Sequence, residues 1–245
     1  MTNNTRRRVF ISCLLLGGAN AGCAIRLSPA LRSRASGAAP AIIKRASTSG
    51  VQSAWHETFD RLDFKQWREI DVKRHSTYHV TVLEGRPCLE ALSHDSASIL
   101  VHKISVDVSV SPWLSWQWRV DHFVEGEDLY RKAGSDASAR VYVYFDTRGL
   151  PWQKRSIDYV WSAHLPVNTV LDSPFSSSSK IVIAASGVEN RGRWIQQERN
   201  LYEDYKLCYH AEPPRVAAIG LMTDTDSAGG YGLAYYDDLT IRAEK

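Results

Sequence analysis

The chain has 245 residues, 44% of them hydrophobic and eight of them Trp, enough for one sizeable β-domain with a packed core. Its formal net charge of +3 comes from the N-terminus, because residues 51–245 hold 22 basic against 27 acidic side chains. A folded part that acidic lacks the basic face that a nucleic-acid partner needs, which excludes that class of function.

Arg6, Arg7 and Arg8 precede an apolar run from Val9 to about Ala21. The run is shorter than the ~20 residues a membrane-spanning helix needs, so residues 1–22 read as a signal peptide. Arg7-Arg8-Val9-Phe10-Ile11 also fits a twin-arginine export signal, with a plain basic n-region as the alternative. Asn20-Ala21-Gly22-Cys23 is similar to a lipobox, with Asn20 where Leu is usual, while Ala19-Asn20-Ala21 suits ordinary cleavage. The expectation is an exported periplasmic protein, lipidated at Cys23 and held at the outer membrane by that N-terminal anchor. Plain secretion is the alternative. Residues 23–50, rich in Ala, Ser, Arg and Pro, read as a disordered tether. The domain then spans 51–245.

From Trp55 onward, short alternating runs recur between polar turns. Glu57–Asp60 followed by Trp67 reads as the opening strand and turn. His79–Leu83 and Arg86–Leu92 form a hairpin across Glu84-Gly85, and Ser98–His102 and Ile104–Val110 follow as separate strands. In Trp113–Val120, the side chains of Leu114, Trp116, Trp118 and Val120 share one face. Phe123 to Ala139 breaks the rhythm and reads as a long loop with a short helix near Asp128–Lys132. Arg140–Asp146 alternates cleanly: Val141, Val143 and Phe145 face the core, and Arg140, Tyr142, Tyr144 and Asp146 face away. Ile157–His164, Lys180–Ala185 and Trp194–Arg199 are further strands. Asn200 with Glu203 has the spacing of a capping box for a helix over Leu201–Tyr209, which Pro213-Pro214 ends. Two last strands flank Thr223-Asp224-Thr225-Asp226. The sum is an all-β, antiparallel, jelly-roll-like β-sandwich with one embedded helix.

Cys88 and Cys208 are the cysteines left in the domain. In an oxidising compartment they can pair as a disulfide, and the alternative is two separately buried thiols.

The succession PWLSWQWRV, AGSDASARVYVYFD, IDYVW, RNLYEDY, LMTDTD and AYYDDLTI resembles an exported bacterial family known as domain of unknown function 3047. The resemblance covers roughly residues 55–243. It implies an exported β-rich domain and supplies no activity, substrate or catalytic residue. The family pattern continues TDTD with Asn and Thr, where this chain has Ser227 and Ala228. The AYYDDLTI ending also looks like the last strand of carbohydrate-binding jelly rolls, where an Asp often helps to hold a structural calcium.

Asp224 and Asp226 alternate with Thr223 and Thr225, so in an extended run both carboxylates point one way, about 6.5–7 Å apart. They are candidate Ca²⁺ ligands, candidate ligand contacts, or the acids of an Asx-type turn. Arg140 beside Tyr142 and Tyr144 can grip a sugar or an acid, or pair with Asp146, Asp158 or Glu125. Trp118 and Trp161, with Trp116 and Trp194, are candidate stacking rings. No HExxH, GxSxG or clustered ExDxE pattern is present. Three functions remain: binding of a glycan or other cell-envelope component; a polysaccharide hydrolase or lyase using Asp224, Asp226, Arg140 and Tyr142; or a structural subunit contacting an envelope protein.

Overall fold

The computed structural model describes residues 53–147 and 154–244. The signal segment 1–22, the tether 23–50 and Cys23 lie outside the described residues. The elements run β1 (Ser53–Glu57), β2 (Trp67–Lys73), β3 (Thr77–Leu83), β4 (Arg86–His94), β5 (Ala97–Val106), β6 (Trp113–His122), β7 (Ala139–Phe145), β8 (Ser156–Ser162), β9 (Val170–Ser173), β10 (Ser176–Ser186), β11 (Ile195–Asn200), α1 (Leu201–Tyr209), β12 (Val216–Met222) and β13 (Tyr231–Arg242). They form a β-sandwich. Sheet A has the order β11-β6-β13-β4-β3, with β1 paired to the far part of β13. Sheet B has the order β2-β5-β12-β7-β8-β10-β9. Pairing is antiparallel except between β8 and β10.

Local chemistry accounts for the connections. Glu84 and Gly85 both hold positive φ, 54° and 80°, which suits a two-residue hairpin whose twist matches its strands. Asn200 caps α1 by accepting the Tyr202 and Glu203 amides at 3.1 Å. His210 closes the helix in the left-handed conformation. Leu201, Tyr205 and Cys208 face the core from this helix.

Three sequence expectations change, and the open choice at the two cysteines is settled. Ser98–His102 and Ile104–Val110 are not two strands: β5 runs unbroken through His102 and Lys103, since exposed polar side chains do not interrupt a backbone ladder. Asp107 then ends it by accepting the Ser109 amide. The helix near Asp128–Lys132 is a turn, with Asp128 Oδ1 accepting the Tyr130 amide and Asp128 bridging to Gly134. Strands β2 and β9, absent from the sequence reading, are the two edges of sheet B, where few buried side chains mark them. Cys88 and Cys208 are free thiols rather than a disulfide. Leu89 points into the core, so its neighbour Cys88 points to the opposite face of sheet A, away from Cys208.

The inter-sheet core is aromatic. Trp116 and Trp118 meet edge-on at 5.2 Å, and Tyr159 and Trp161 pack against them from β8. Part of the outer face of sheet B is also covered: Leu129 and Ala137 of the loop after β6 pack on Val160, Ile181 and Ile183. Strand β8 is buried on both sides by this contact, and β7 by the packing of Tyr142 with Ile99 and Met222 and of Arg140 with Asp224.

Candidate functional site

The run after β12 leaves the sheet at Thr223 and enters a turn at Asp226, and its four side chains split by parity. Thr223 and Thr225 turn inward. The Thr223 hydroxyl donates to the Ser138 carbonyl at 2.8 Å, and the Thr225 hydroxyl lies 2.8 Å from that of Ser93. Asp224 and Asp226 turn toward the loop before β7. There Asp224 Oδ1 accepts from Arg140 Nε at 3.2 Å and from the Ala137 amide at 3.1 Å. Arg140 Nη2 donates to the Ser135 carbonyl at 2.7 Å. Asp226 pairs with Lys73 at 3.8 Å.

Sequence reasoning missed Asp136. It lies next to Ser135 in a loop and carries no strand signal. Its carboxylate accepts the backbone amides of Ser227 and Ala228, at 2.9 Å and 2.6 Å. Backbone groups do this work, so the departure from Asn and Thr at 227 and 228 leaves the contact intact. Asp136, Asp224 and Asp226 each place a carboxylate oxygen within 4.8 Å of the others, a set of hard oxygen donors of the kind Ca²⁺ takes. Each carboxylate faces a protein donor: Asp224 the Arg140 guanidinium and Ala137 amide, Asp136 the Ser227 and Ala228 amides, and Asp226 the Lys73 ammonium. The cluster therefore reads as a latch tying the loop before β7 to the turn after β12.

Burial pushes the Asp224 carboxyl up to about 7 against the pull of Arg140, with Asp136 adding to the push. Burial likewise lifts Asp158 to about 6, against hydroxyl hydrogen bonds from Ser179 and Ser156 and the charge of Arg140. A raised carboxyl is the mark of a general acid when it lines a cleft. Here Arg140, Asp224 and Tyr142 are 3%, 3% and 5% exposed, and their polar groups are spent on the protein. The salt bridge expected from Arg140 to Asp146, Asp158 or Glu125 forms instead with Asp224.

Trp118 and Trp161, expected as stacking rings, are fully buried with Trp116 between the sheets, as their inward positions on β6 and β8 require. Tyr142 and Tyr144 do stack, at 5.7 Å and 7° between planes, yet they lie against Met222 and Ile99 on the outer face of sheet B.

The outer face of sheet A differs from all of these. It is polar and only partly covered, with Gln196 exposed and Gln117 and Arg119 half-buried. Arg86 organises its middle. The Arg86 guanidinium donates to Asp237, to Gln117 Oε1 at 2.9 Å and to Asp238 Oδ2 at 2.9 Å. Gln117 Nε2 in turn donates to Asp238 at 2.9 Å. The bulge at Asp237/Asp238, with Asp238 at φ 50°, lets both neighbouring acids reach the one arginine. Arg119 beside them is held by Asp121 and Glu84, each at 2.6 Å. Over this array lies Trp194, half-buried, with the Arg86 guanidinium 4.6 Å from its ring centroid and Tyr235 at 6.5 Å. Of the four Trp expected to stack on a ligand, Trp194 is the one that is not fully buried. Cys88 lies beneath, its thiol pushed up to about 12 by burial and Asp237.

No curated protein matches the chain. Among solved structures it is similar to the family 11 carbohydrate-binding module of the cellulosomal cellulase Lic26A-Cel5E of Clostridium thermocellum. That match has 10% identity and a TM-score of 0.43, over 81% of this chain and 97% of the other. A family 30 carbohydrate-binding module of the cellulosomal cellulase Cel9D-Cel44B, also from C. thermocellum, matches at 12% identity and a TM-score of 0.45, over 78% and 99%. The xyloglucanase domain of NopAA, a type three effector from Sinorhizobium fredii, matches at 9% and 0.43, over 79% and 100%. Likeness at this level carries no function to the present chain. The family model described as Protein of unknown function (DUF3047) matches residues 65–240, and the chain belongs to that family.

Proposed function

We propose that this is a non-catalytic glycan-binding domain of the bacterial envelope, exported by residues 1–22 and anchored through a lipid on Cys23. Its ligand lies on the outer face of sheet A. One observation carries the reading: a half-buried Trp194 rests on a polar array whose members are fixed by one another. A half-buried ring offers an apolar platform to the face of a sugar, and pre-oriented amide and carboxylate groups offer hydrogen bonds without an ordering cost at binding. The other charged cluster, around Arg140, is buried and bonded to itself, so it supports the fold.

Native affinity electrophoresis against a panel of neutral and charged polysaccharides tests the proposal. Retardation by at least one polysaccharide, lost in Trp194→Ala and kept in Asp226→Ala, is the expected result. Equal retardation of wild type and Trp194→Ala, or none with any polysaccharide, contradicts it. Labelling with a radioactive fatty acid, present in the full chain and absent in Cys23→Ala, tests the anchor separately.

A further inference from the structure

We infer that the ligand is an extended, uncharged oligosaccharide lying along β6 and β11 between Trp194 and Trp113. This rests on the binding reading above and names its substrate class. Leu114 points into the core, so Trp113 points to the outer face of sheet A, where it is half-buried. Ile195 pairs with Trp118, which sets Trp194 level with Arg119, six residues along β6 from Trp113. At the rise of a β-strand the two rings mark the ends of a row of about 20 Å.

The groups between them suit an uncharged chain. Gln117 of β6 pairs in register with Gln196 of β11, and Ser115 with Glu198. Arg242 ties Ser115 and Glu198 together, donating to the Ser115 hydroxyl at 2.7 Å and to the Glu198 carboxylate. Each guanidinium on the face is already engaged: Arg86 by Asp237 and Asp238, Arg119 by Asp121 and Glu84, Arg242 by Glu198. In these sets the carboxylates outnumber the arginines. A uronate or phosphate would therefore meet guanidinium groups that are already engaged. Among the described residues, Arg191 and Arg193, exposed in the loop before Trp194, are cations that could favour an anionic ligand. The polyuronate arm of the test measures their effect.

Calorimetric titration of the mature domain with neutral β-linked gluco-oligosaccharides of two to six units, and with oligouronates of equal length, tests the inference. Affinity is expected to climb with length until the row is filled, and the uronates are expected to bind at least tenfold more weakly. Trp113→Ala should remove the gain beyond the shortest oligomers, about tenfold or ~1.4 kcal/mol, and leave the disaccharide unchanged. Trp113→Phe should restore it, which separates ring loss from misfolding. A flat length profile, no effect of Trp113→Ala at any length, or uronates binding as tightly as neutral chains overturns the inference. If Trp194→Ala still abolishes binding in those cases, the site itself stands. No heat with any member of either series, together with no retardation on the polysaccharide panel, overturns both.

Discussion

Arg140 Nε and Asp224 Oδ1 lie 3.2 Å apart, with both side chains about 5% exposed or less, and they join β7 to the turn after β12. Asp136 and Asp226 stand beside the pair, so this buried site holds more carboxylates than guanidinium groups. Removing the arginine strands those acids in the interior. Arg140→Leu is expected to cost about 3–5 kcal/mol, the range for breaking a buried pair from one side. Urea denaturation measures it, and a loss below ~1 kcal/mol would show that the acids simply take up protons.

Burial of its carboxyls also gives the fold a pH dependence. Asp224 stands at about 7 in the folded protein, above the ~4 of an unfolded Asp. Between those values the folded state holds a proton that the unfolded chain has lost. Stability should therefore fall as pH rises from about 4 to about 7 and level off above. Asp158, at about 6, adds a contribution of the same sign over a narrower window. The denaturation midpoint of wild type should be lower at pH 8 than at pH 5, and Asp224→Asn should flatten the slope. Identical slopes would remove Asp224 from this role.

The latch can be probed for a metal role without touching Arg140. Each carboxylate of the cluster has a protein donor, so millimolar Ca²⁺ or EDTA is expected to leave Tm unchanged. Asp136→Ala should cost about 1–3 kcal/mol by freeing the Ser227 and Ala228 amides, and should speed their hydrogen exchange. A Ca²⁺-dependent rise in Tm that Asp136→Asn abolishes would make the cluster a metal site.

The thiols give a further check. Cys88 and Cys208 sit on opposite faces of sheet A, and burial pushes each thiol up to about 12. Neither should react with a thiol reagent before unfolding, and both should react after it. A reductant should leave Tm unchanged. A mass lower by two hydrogens in the purified protein would indicate a disulfide and a different arrangement of β4 and α1.

Where a residue's role depends on local pattern, the sequence carries it. The β6 alternation, the Glu84-Gly85 hairpin and the Asn200 cap all reappear in the fold. The same alternation predicts that Arg140 and Tyr142 face away from the core, and they do. It cannot report that a loop then covers part of that face, because Leu129 and Ala137 reach it from a segment without period. Asp136 was illegible for a related reason: it acts on backbone amides more than ninety residues away, and backbone donors leave no sequence mark. The Arg86–Asp237–Asp238–Gln117 array joins three strands far apart in sequence, and only the sheet order brings them together.

On the reading proposed above, ligand meets the outer face of sheet A and not the Asp224 turn. Titrating the domain with a retarding polysaccharide fragment, and following indole and backbone N–H resonances, tests this most directly. The Trp194 indole and the Gln117 and Gln196 side-chain amides are expected to move, with Thr223–Asp226 still. Shifts concentrated at Thr223–Asp226 and Asp136, with Trp194 unmoved, would contradict it.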